Sequence, residues 1–422
     1  MTLPSDLHNV RLIDPQYLPR LKSARIVYYE RSSRFAEALN TTTMVQNMIS
    51  TLANYPGLTL ESLAIEHDDA DDFVLMLRMN PPMPLLRYLK LRNVHFSSIT
   101  AYPQLTHLDV TTSSQEDFIL DSIDKFIVFL RGSPNLQVLR LTRSSPWATS
   151  TAQNMEEQHV DLPHLTELHL KGTIQDCARL GCFLDIPESC SIVIKAPASK
   201  ASYPHAILGP MLRRWIPSPV RLDMYSGDRE FSRGVKAWHA DAGGFHDSLP
   251  RLHLLCLPWR RQKLLHLMPN QFSPWETICE SVSLEHLVYL RVSDRKQRPV
   301  SWRKLLRGAT AAQHVRVEGR DAIDDLICLL SSASPPAQQP HKQEDKPLYP
   351  GLQSLSIRSF DHVALVEKHG LRDCLQARKD AGVGDAMIDV QFEFPDGMVP
   401  PGFEASLAEL NGLATFQIKT YH

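Results

Sequence analysis

The residues best suited to catalysis lie close together in one irregular part of the chain. The segment Gly243-Gly244-Phe245-His246-Asp247-Ser248, with His239 nearby, holds each residue type of a nucleophilic triad. A working triad draws its nucleophile, base and acid from separate elements that converge in space, and two glycines within six residues are typical of a turn. A cryptic enzyme site, with His239, Asp241 and His246 in one pocket, is therefore kept only as an alternative for region 195–249.

Three acidic clusters could hold a cation, but each lies where a helix is predicted to begin. Apolar residues at helical spacing predict helices over 69–80, 115–132 and 319–333. Carboxylates in a first helical turn complement the helix dipole, and this interpretation covers all three clusters at once. The acidic residues are Asp68, Asp69, Asp71 and Asp72, then Glu116 and Asp117, then Asp321, Asp324 and Asp325.

The seven cysteines are scattered through apolar segments, and we interpret them as reduced and mostly buried. The closest set, Cys177, Cys182 and Cys190, lacks the paired spacing of a structural zinc site. Nucleophile elbows, phosphate-binding glycine loops and paired-histidine zinc motifs do not occur in a plausible context. We therefore expect no catalytic residue, no metal, no cofactor and no enzymatic activity.

One short pattern recurs along the chain: an apolar residue, two variable residues, an apolar residue, one variable residue and an apolar residue. Each copy predicts a short strand, and the proline often found two residues earlier predicts an extended lead-in. Clear copies begin at Leu86, Leu105, Leu136, Leu165, Leu252, Leu287 and Leu352, weaker ones at Leu60 and Ala312, and a degenerate one at Leu21.

Strands that alternate with helices at intervals of roughly 20 to 40 residues indicate repeat architecture. The predicted fold class is α/β, an irregular leucine-rich-repeat solenoid or horseshoe, with parallel strands on the concave face and helices on the convex face. A doubly wound sheet is the competing architecture. It would show Val and Ile runs opened by glycine-rich turns, and the sequence has neither. The predicted parts are an N-terminal cap or degenerate first repeat at 1–50, the solenoid at 51–395 with an irregular insertion at 195–249 and a flexible loop at 331–347, and a C-terminal cap at 396–422.

Two segments carry a family resemblance. LPHLTELHLKGTIQDCARLGCFLDIPESCSIVI, at 162–194, and YPGLQSLSIRSF with LRDCLQARKDAG resemble the repeat region of F-box and leucine-rich-repeat proteins of mushroom-forming fungi. The likeness spans roughly residues 50 to 395 and rests on a diffuse repeat pattern. It implies a protein partner, a ubiquitination substrate held by the repeats, while an F-box module docks on a Skp-type adaptor of a cullin ubiquitin ligase.

The start of the chain departs from that family. Leu3-Pro4-Ser5-Asp6 runs directly into repeat-like sequence, and a full F-box is not visible. The chain is either a receptor-like repeat protein without this module or a fragment, so adaptor binding is assigned to no residue. A repeat scaffold in a signalling or nuclear assembly, unrelated to ubiquitin, is the other interpretation.

The surface predicted to bind a protein is the free face of the strands. Residues that alternate with the inward leucines point outward and form a ladder from strand to strand. Tyr and Arg are frequent binding anchors, although a free face must be polar in any case. The predicted protein-binding residues are Tyr88, Lys90, Arg92, His107, Asp109, Arg140, Glu167, His169, Lys171, Tyr289, Arg291 and Arg316.

Charge and composition point away from nucleic acid and membrane partners. The formal net charge is -2 and 43% of the residues are hydrophobic, which fits a globular protein. The basic stretch from Arg291 to Arg307, which includes Trp302, has two interpretations. It is a nucleic-acid patch or nuclear-import signal, or it is a solvated or partner-facing segment, which we favour. With no signal peptide and no membrane-spanning run in the sequence, we expect an intracellular protein, cytoplasmic or nuclear.

Overall fold

The structure is a computed structural model that divides the chain into two units, Met1–Ser199 and Lys200–His422, and each is described by itself. The described residues are 20–28, 43, 45–50, 59–67, 75–79, 83–99, 101–111, 123–144, 159–197, 205–216, 219, 221–226, 233–238, 252–257, 281–294, 302, 308–331, 349–358, 370–380, 382, 387–396, 398–408 and 410–421.

The first unit is built on a sheet of seven strands, all of which pair in parallel, so the predicted α/β class with parallel strands is confirmed. In spatial order the strands are β1 (Ser23–Tyr28), β2 (Ser62–His67), β4 (Tyr88–Arg92), β6 (His107–Thr111), β7 (Val138–Ser144), β9 (Glu167–Gly172) and β11 (Ser191–Pro197). Two separate pairs join β3 (Leu75–Met79) to β5 (Val94–Ile99) and β8 (Val160–Asp161) to β10 (Leu184–Asp185), and the helices are α1 (Ile123–Arg131) and α2 (Ile174–Phe183).

A tight turn precedes almost every strand that the pattern predicts. The N–H of Leu105 donates to the carbonyl of Tyr102, and equivalent bonds close the turns that end at Leu86, Leu136 and Leu165. The prolines that precede these strands, such as Pro103, therefore occupy the second position of a turn. The expected extended lead-in was wrong, because the fixed φ of proline suits this turn position equally well.

The turns also join neighbouring repeats. The carbonyl of Arg87 accepts the N–H groups of both Thr106 and His107, at 2.8 and 2.9 Å, and Thr106 adds its hydroxyl at 2.9 Å. The same double acceptance recurs at the carbonyls of Lys22, Glu61, Thr106 and Gln137. Each repeat thus fixes the register of the next one.

The core of the first unit consists of two rows of buried side chains that run across the strands. Because side chains alternate along a strand, every second residue of each copy enters the same row. The inward residues are Leu63, Leu89, Leu108, Leu139, Leu168 and Ile192 in one row and Ile65, Leu91, Val110, Leu141, Leu170 and Ile194 in the other.

The second unit has a sheet of eight strands, mostly parallel. In spatial order they are β14 (Leu252–Leu257), β13 (Arg233–Trp238), β12 (Arg221–Ser226), β15 (Tyr289–Asp294), β16 (His314–Glu318), β17 (Ser354–Arg358), β18 (Ile388–Pro395) and β19 (Ala414–Tyr421). The helices are α3 (His205–Trp215), α4 (Arg320–Ser331), α5 (Gly370–Asp380) and α6 (Phe403–Ala408).

One strand of the second unit departs from the predicted parallel arrangement. β13 pairs antiparallel with both β12 and β14, so β13 is reversed, while β14, the copy at Leu252, runs in the same direction as β12. The physical reason is the connection between β12 and β13, residues 227–232, which is too short for the crossover that a parallel pair needs.

Predicted helices are confirmed in two places and wrong in one. Helix α1 lies within 115–132 and α4 within 319–333. Of the predicted helix 69–80, residues 75–79 form strand β3, which pairs in parallel with β5. The period of a short apolar run does not distinguish a helix from a strand, and here the pairing with β5 makes the segment a strand.

Several predictions fall outside the described residues. These are the 331–347 loop apart from Ser331, the triad-like segment with His239 and Asp241, the acidic clusters at 68–72 and 116–117, and most of the basic stretch after Asp294. Among the helices that the structure describes, none combines the length and apolar character needed to cross a bilayer.

The end of α1 gives a test of the packing between repeats. A methyl group added at Gly132 would overlap Cβ of Ala101. We expect Gly132→Ala to lower the free energy of unfolding by about 1–3 kcal/mol, the usual cost of an overpacked side chain. Urea denaturation followed by circular dichroism measures this change. In an Ala101→Gly background the same substitution should cost much less; an equal cost in both backgrounds would refute the contact.

Candidate functional site

The side chains that alternate with the core rows in the first unit form three outward rows, which we call the open face. Neighbours within a row lie one strand spacing apart, about 4.8 Å. From β2 to β11, row 1 is Ser62, Tyr88, His107, Val138, Glu167 and Ser191; row 2 is Ala64, Lys90, Asp109, Arg140, His169 and Val193; row 3 is Glu66, Arg92, Thr111, Thr142, Lys171 and Lys195.

The structure separates the twelve predicted binding residues into two sets. Nine lie on the open face of the first unit, on strands β4, β6, β7 and β9, where they are half-buried or exposed. The other three, Tyr289, Arg291 and Arg316, lie on β15 and β16 of the second unit and are half-buried. Their role in binding stays a prediction.

A buried carboxylate organises one end of the open face. Glu66 is only 5% exposed, and its two oxygens each lie 2.9 Å from a cation, Arg25 of β1 on one side and Lys90 of β4 on the other. Burial alone would raise the pKa of Glu66, but the hydrogen bonds and charges of Lys90 and Arg25 outweigh it and lower the pKa below its usual value. Glu66 therefore remains ionised and holds Lys90 in place.

A second ion pair lies toward the other end. Arg140 donates from Nε and Nη2 to Oε1 of Glu167, both at 2.7 Å, and His169 Nε2 lies 3.3 Å from the same oxygen. Burial lowers the pKa of His169, Glu167 opposes that shift, and Arg140 and Lys195 add to it. Asp109 raises the pKa as Glu167 does, so the charges around His169 act in both directions and burial is the largest cause of its lowered pKa.

Row 1 contributes aromatic area between these ion pairs. The rings of Tyr88 and His107 are 5.9 Å apart and tilted by 37°. His107 Nδ1 lies 2.9 Å from the hydroxyl of Thr106, which orients the imidazole. A half-exposed pair of rings beside Lys90 offers flat apolar area next to a charge, the combination found at binding anchors.

The second unit repeats the ring pair at equivalent positions. Tyr289 and His314 are first in register on adjacent parallel strands, with centroids 6.4 Å apart and again tilted by 37°. His314 Nδ1 lies 2.8 Å from the hydroxyl of Ser354. Both units therefore present a tyrosine and a histidine side by side on the outward side of the sheet.

The ionic groups of the second unit neutralise one another. Glu318 is fully buried, accepts a hydrogen bond from Ser293 at 2.9 Å, and lies 3.7 Å from both Arg291 and Arg358. Although Glu318 follows the outward position of Arg316 by two residues on its strand, these cations enclose its carboxylate and it does not face solvent. It serves to position Arg291.

A neighbouring carboxylate is enclosed in the same way. Glu393 binds Arg316 through Oε2 at 2.6 Å, and its Oε1 accepts hydrogen bonds from Ser356 and Gln391 at 3.0 and 2.8 Å. The guanidinium of Arg358 lies 3.5 Å above the ring of Tyr421. Arg316 is therefore held in a defined position by an internal carboxylate, as Arg140 is in the first unit.

The sequence interpretation missed several residues of these surfaces. Glu66 and Arg358 follow the last leucine-type residue of a recognised copy, so the pattern itself could have identified them. Lys195 had no such signal, because β11 follows its turn one residue sooner than other strands do: Cys190 closes the turn and Ile192 is already inward. The apolar residues of this repeat therefore do not follow the spacing of the recognised pattern.

Two residues that the sequence singled out, Cys177 and Trp302, are buried. Burial raises the pKa of Cys177 to about 12, and Asp176 adds to the shift, so the thiolate form is suppressed. Trp302 is 1% exposed and its backbone N–H donates to Oδ2 of Asp325 at 2.9 Å, so it is a core residue. Within the described ranges, no three His, Cys, Asp or Glu residues are grouped as a metal site requires.

No protein-family model, curated protein or solved structure matches the chain.

Removal of the Glu66 charge tests the ion pairs that Glu66 forms with Lys90 and Arg25. We expect Glu66→Gln to lower the free energy of unfolding by about 1–2 kcal/mol at pH 7, because two charge-assisted hydrogen bonds weaken beside half-exposed partners. The folded-state pKa of Glu66 is lowered, so its stabilisation is full above about pH 4.3 and is lost as pH falls through the folded-state value. Wild type and variant should therefore converge in acid.

The control for this prediction is Glu61→Gln. Glu61 has an exposed ion pair with Lys22 at 3.5 Å, which contributes little to stability. Chemical denaturation at several pH values between 3 and 8 compares the three proteins. Equal stability of wild type and Glu66→Gln at pH 7 would contradict the role assigned to Glu66.

Proposed function

We propose that the chain is a non-enzymatic protein-interaction scaffold, a substrate-recognition protein related to F-box receptors of cullin ubiquitin ligases. In this proposal it acts inside the cell, in the cytoplasm or nucleus, and binds its protein partner through surface complementarity without a cofactor. The repeats form an irregular leucine-rich-repeat horseshoe with the open face on its concave side.

The repeat geometry supports the horseshoe. The copies at Leu86, Leu105, Leu136 and Leu165 share the same closing turn, a carbonyl just after the turn that accepts from the next repeat, and two buried inward residues on the strand. A repeat of this kind buries its apolar face only against its neighbours, so a stable chain stacks many of them. The resemblance of 162–194 to fungal F-box and leucine-rich-repeat proteins agrees with this arrangement.

The observation that carries the proposal is the open face itself. It combines half-exposed rings at Tyr88 and His107 with cations held in defined positions, Lys90 by Glu66 and Arg140 by Glu167. Anchors that are already positioned lose little conformational entropy on binding. The described residues of the sheet offer rows of recognition groups and no convergent catalytic set, which favours binding over chemistry.

The test is affinity purification of the tagged chain from its native cells, with mass spectrometry of the co-eluting proteins. Wild type is compared with the open-face variant, Arg92→Glu, Arg140→Glu and Lys171→Glu combined. We expect that variant to lose its substrate partner by about tenfold or more, because charge reversal at three positions opposes a complementary surface. A Skp-type adaptor and a cullin should remain with both proteins.

A matched control carries the same change in charge on helices: Lys125→Glu on α1 with Arg213→Glu and Arg214→Glu on α3, all exposed side chains. It should retain every partner, and circular dichroism should show wild-type folding for both variants. If the open-face variant loses a partner but neither adaptor nor cullin co-purifies with the wild type, the scaffold proposal stands and the link to ubiquitin is refuted. Retention of all partners by the open-face variant would refute the open face as the site.

A further inference from the structure

The last strand of the second unit is paired on one edge only. β19 pairs in parallel with β18 over eight residues, and none of the strands that the structure describes lies on its other edge. That edge presents a row of backbone N–H and C=O groups to which another strand can bind. β19 holds no proline and its pairing has no bulge, two features by which proteins commonly protect an open edge.

The inward side of β19 is incompletely covered. Phe416 and Ile418 continue the core rows of β18, and the ring of Phe416 stacks on Phe392 with centroids 6.4 Å apart. Their register partners Val390 and Phe392 are buried, whereas the two residues of β19 are half-exposed. A further strand beside β19 would cover both side chains, and the burial of apolar area is the main driving force of association.

The terminal strand of the first unit differs in this respect. The inward residues of β1, Ala24 and Ile26, are both buried. Half-exposed core residues are therefore not a general property of the terminal strands of this chain. They distinguish the edge of β19 as the place where an additional strand would complete a core.

The sequence of β19 is self-complementary when the strand pairs antiparallel with the β19 of a second copy. A two-fold axis at Gln417 places Phe416 opposite Ile418 of the second copy. The same axis places Ala414 opposite Thr420, so residues of the inward side meet one another along the strand. Antiparallel pairs are also slightly more stable per residue than parallel ones.

Charges on the outward side complement each other in this register. Lys419 lies opposite Thr415 of the second copy, and Asp389 of β18 is the register partner of that threonine. Two strand spacings, about 9.6 Å, then separate the Cα atoms of Lys419 and Asp389, a distance that their side chains can span. Within one chain the same Cα atoms are about 14 Å apart, because four residues along the strand also separate them. Both residues are exposed, and neither forms an ion pair with another described residue.

We infer that two copies of the chain form a two-fold symmetric dimer in which their β19 strands pair antiparallel and join the sheets of their second units. This dimer goes beyond the proposed function and does not depend on the open face, since β19 belongs to the second unit. An edge of eight residues is about 27 Å long and buries a small area, which places the dimer in the transient class with dissociation in the micromolar range.

Sedimentation velocity of the full chain at about 1 to 100 µM, in about 50 mM salt, measures this equilibrium. We expect the wild type to shift from monomer to dimer as its concentration rises. Asp389→Lys and Lys419→Glu should each weaken the dimer by about tenfold or more, because each brings like charges together at two symmetric points. An equimolar mixture of the two variants should regain the dimer, because opposite charges then face each other at both points.

The controls are Asp161→Lys and Lys125→Glu, which make the same changes of charge at exposed positions of the first unit. Each should stay within about twofold of the wild type in dimer dissociation. Circular dichroism should show wild-type folding for all four variants. Hydrogen exchange should show protection of residues 414–421 that rises with concentration in the wild type and less so in the two β19-edge variants.

Other results would overturn the inference. A monomer at all these concentrations would exclude the dimer, and a dimer that neither Asp389→Lys nor Lys419→Glu weakens would exclude the β19 edge as its interface. Complete protection of residues 414–421 already in dilute monomer would assign this edge to another segment of the same chain. Protection that appears only when a co-purified partner is added would assign it to a strand of that protein.

Discussion

A single backbone carbonyl between turn and strand fixes the arrangement of the first unit. Each such carbonyl, as at Arg87 or Gln137, accepts the two N–H groups that begin the strand of the next repeat. A parallel strand held in this way cannot slip by one residue, and such a slip would exchange every inward leucine for an outward polar residue. The straight rows of the open face therefore follow from a backbone constraint, and the side chains supply only their identity.

Strand β11 shows how far this constraint tolerates variation. Only one N–H of that repeat, Ser191, reaches the preceding carbonyl at Thr166, because its turn closes one residue nearer the strand. The register with β9 is nevertheless kept over five residues. This shortened repeat brings Lys195 beside Lys171, so an irregularity in spacing produces the densest positive charge in row 3.

The sequence pattern predicted the strands and their inward residues well, because a period of two in apolar residues reports directly on burial. It could not predict the burial of Glu318, which depends on cations that β15 and β17 bring to it, 27 residues before and 40 residues after it in the chain. Strand β3 and the antiparallel β13 likewise depend on pairing partners and connection length. Trp302 was misread because a basic neighbourhood in sequence says nothing about the side of the chain that packs inward.

The two units share a ring pair and differ in the charges around it. Tyr88 with His107 and Tyr289 with His314 have the same tilt and nearly the same separation, so the aromatic part of the surface does not distinguish the units. The carboxylates distinguish the two units. The second unit encloses Glu318 and Glu393 among its arginines, whereas row 3 of the first unit has threonines at the central positions. At corresponding register positions the first unit therefore carries hydroxyl groups where the second carries buried acids, so charge and not the ring pair distinguishes the two units.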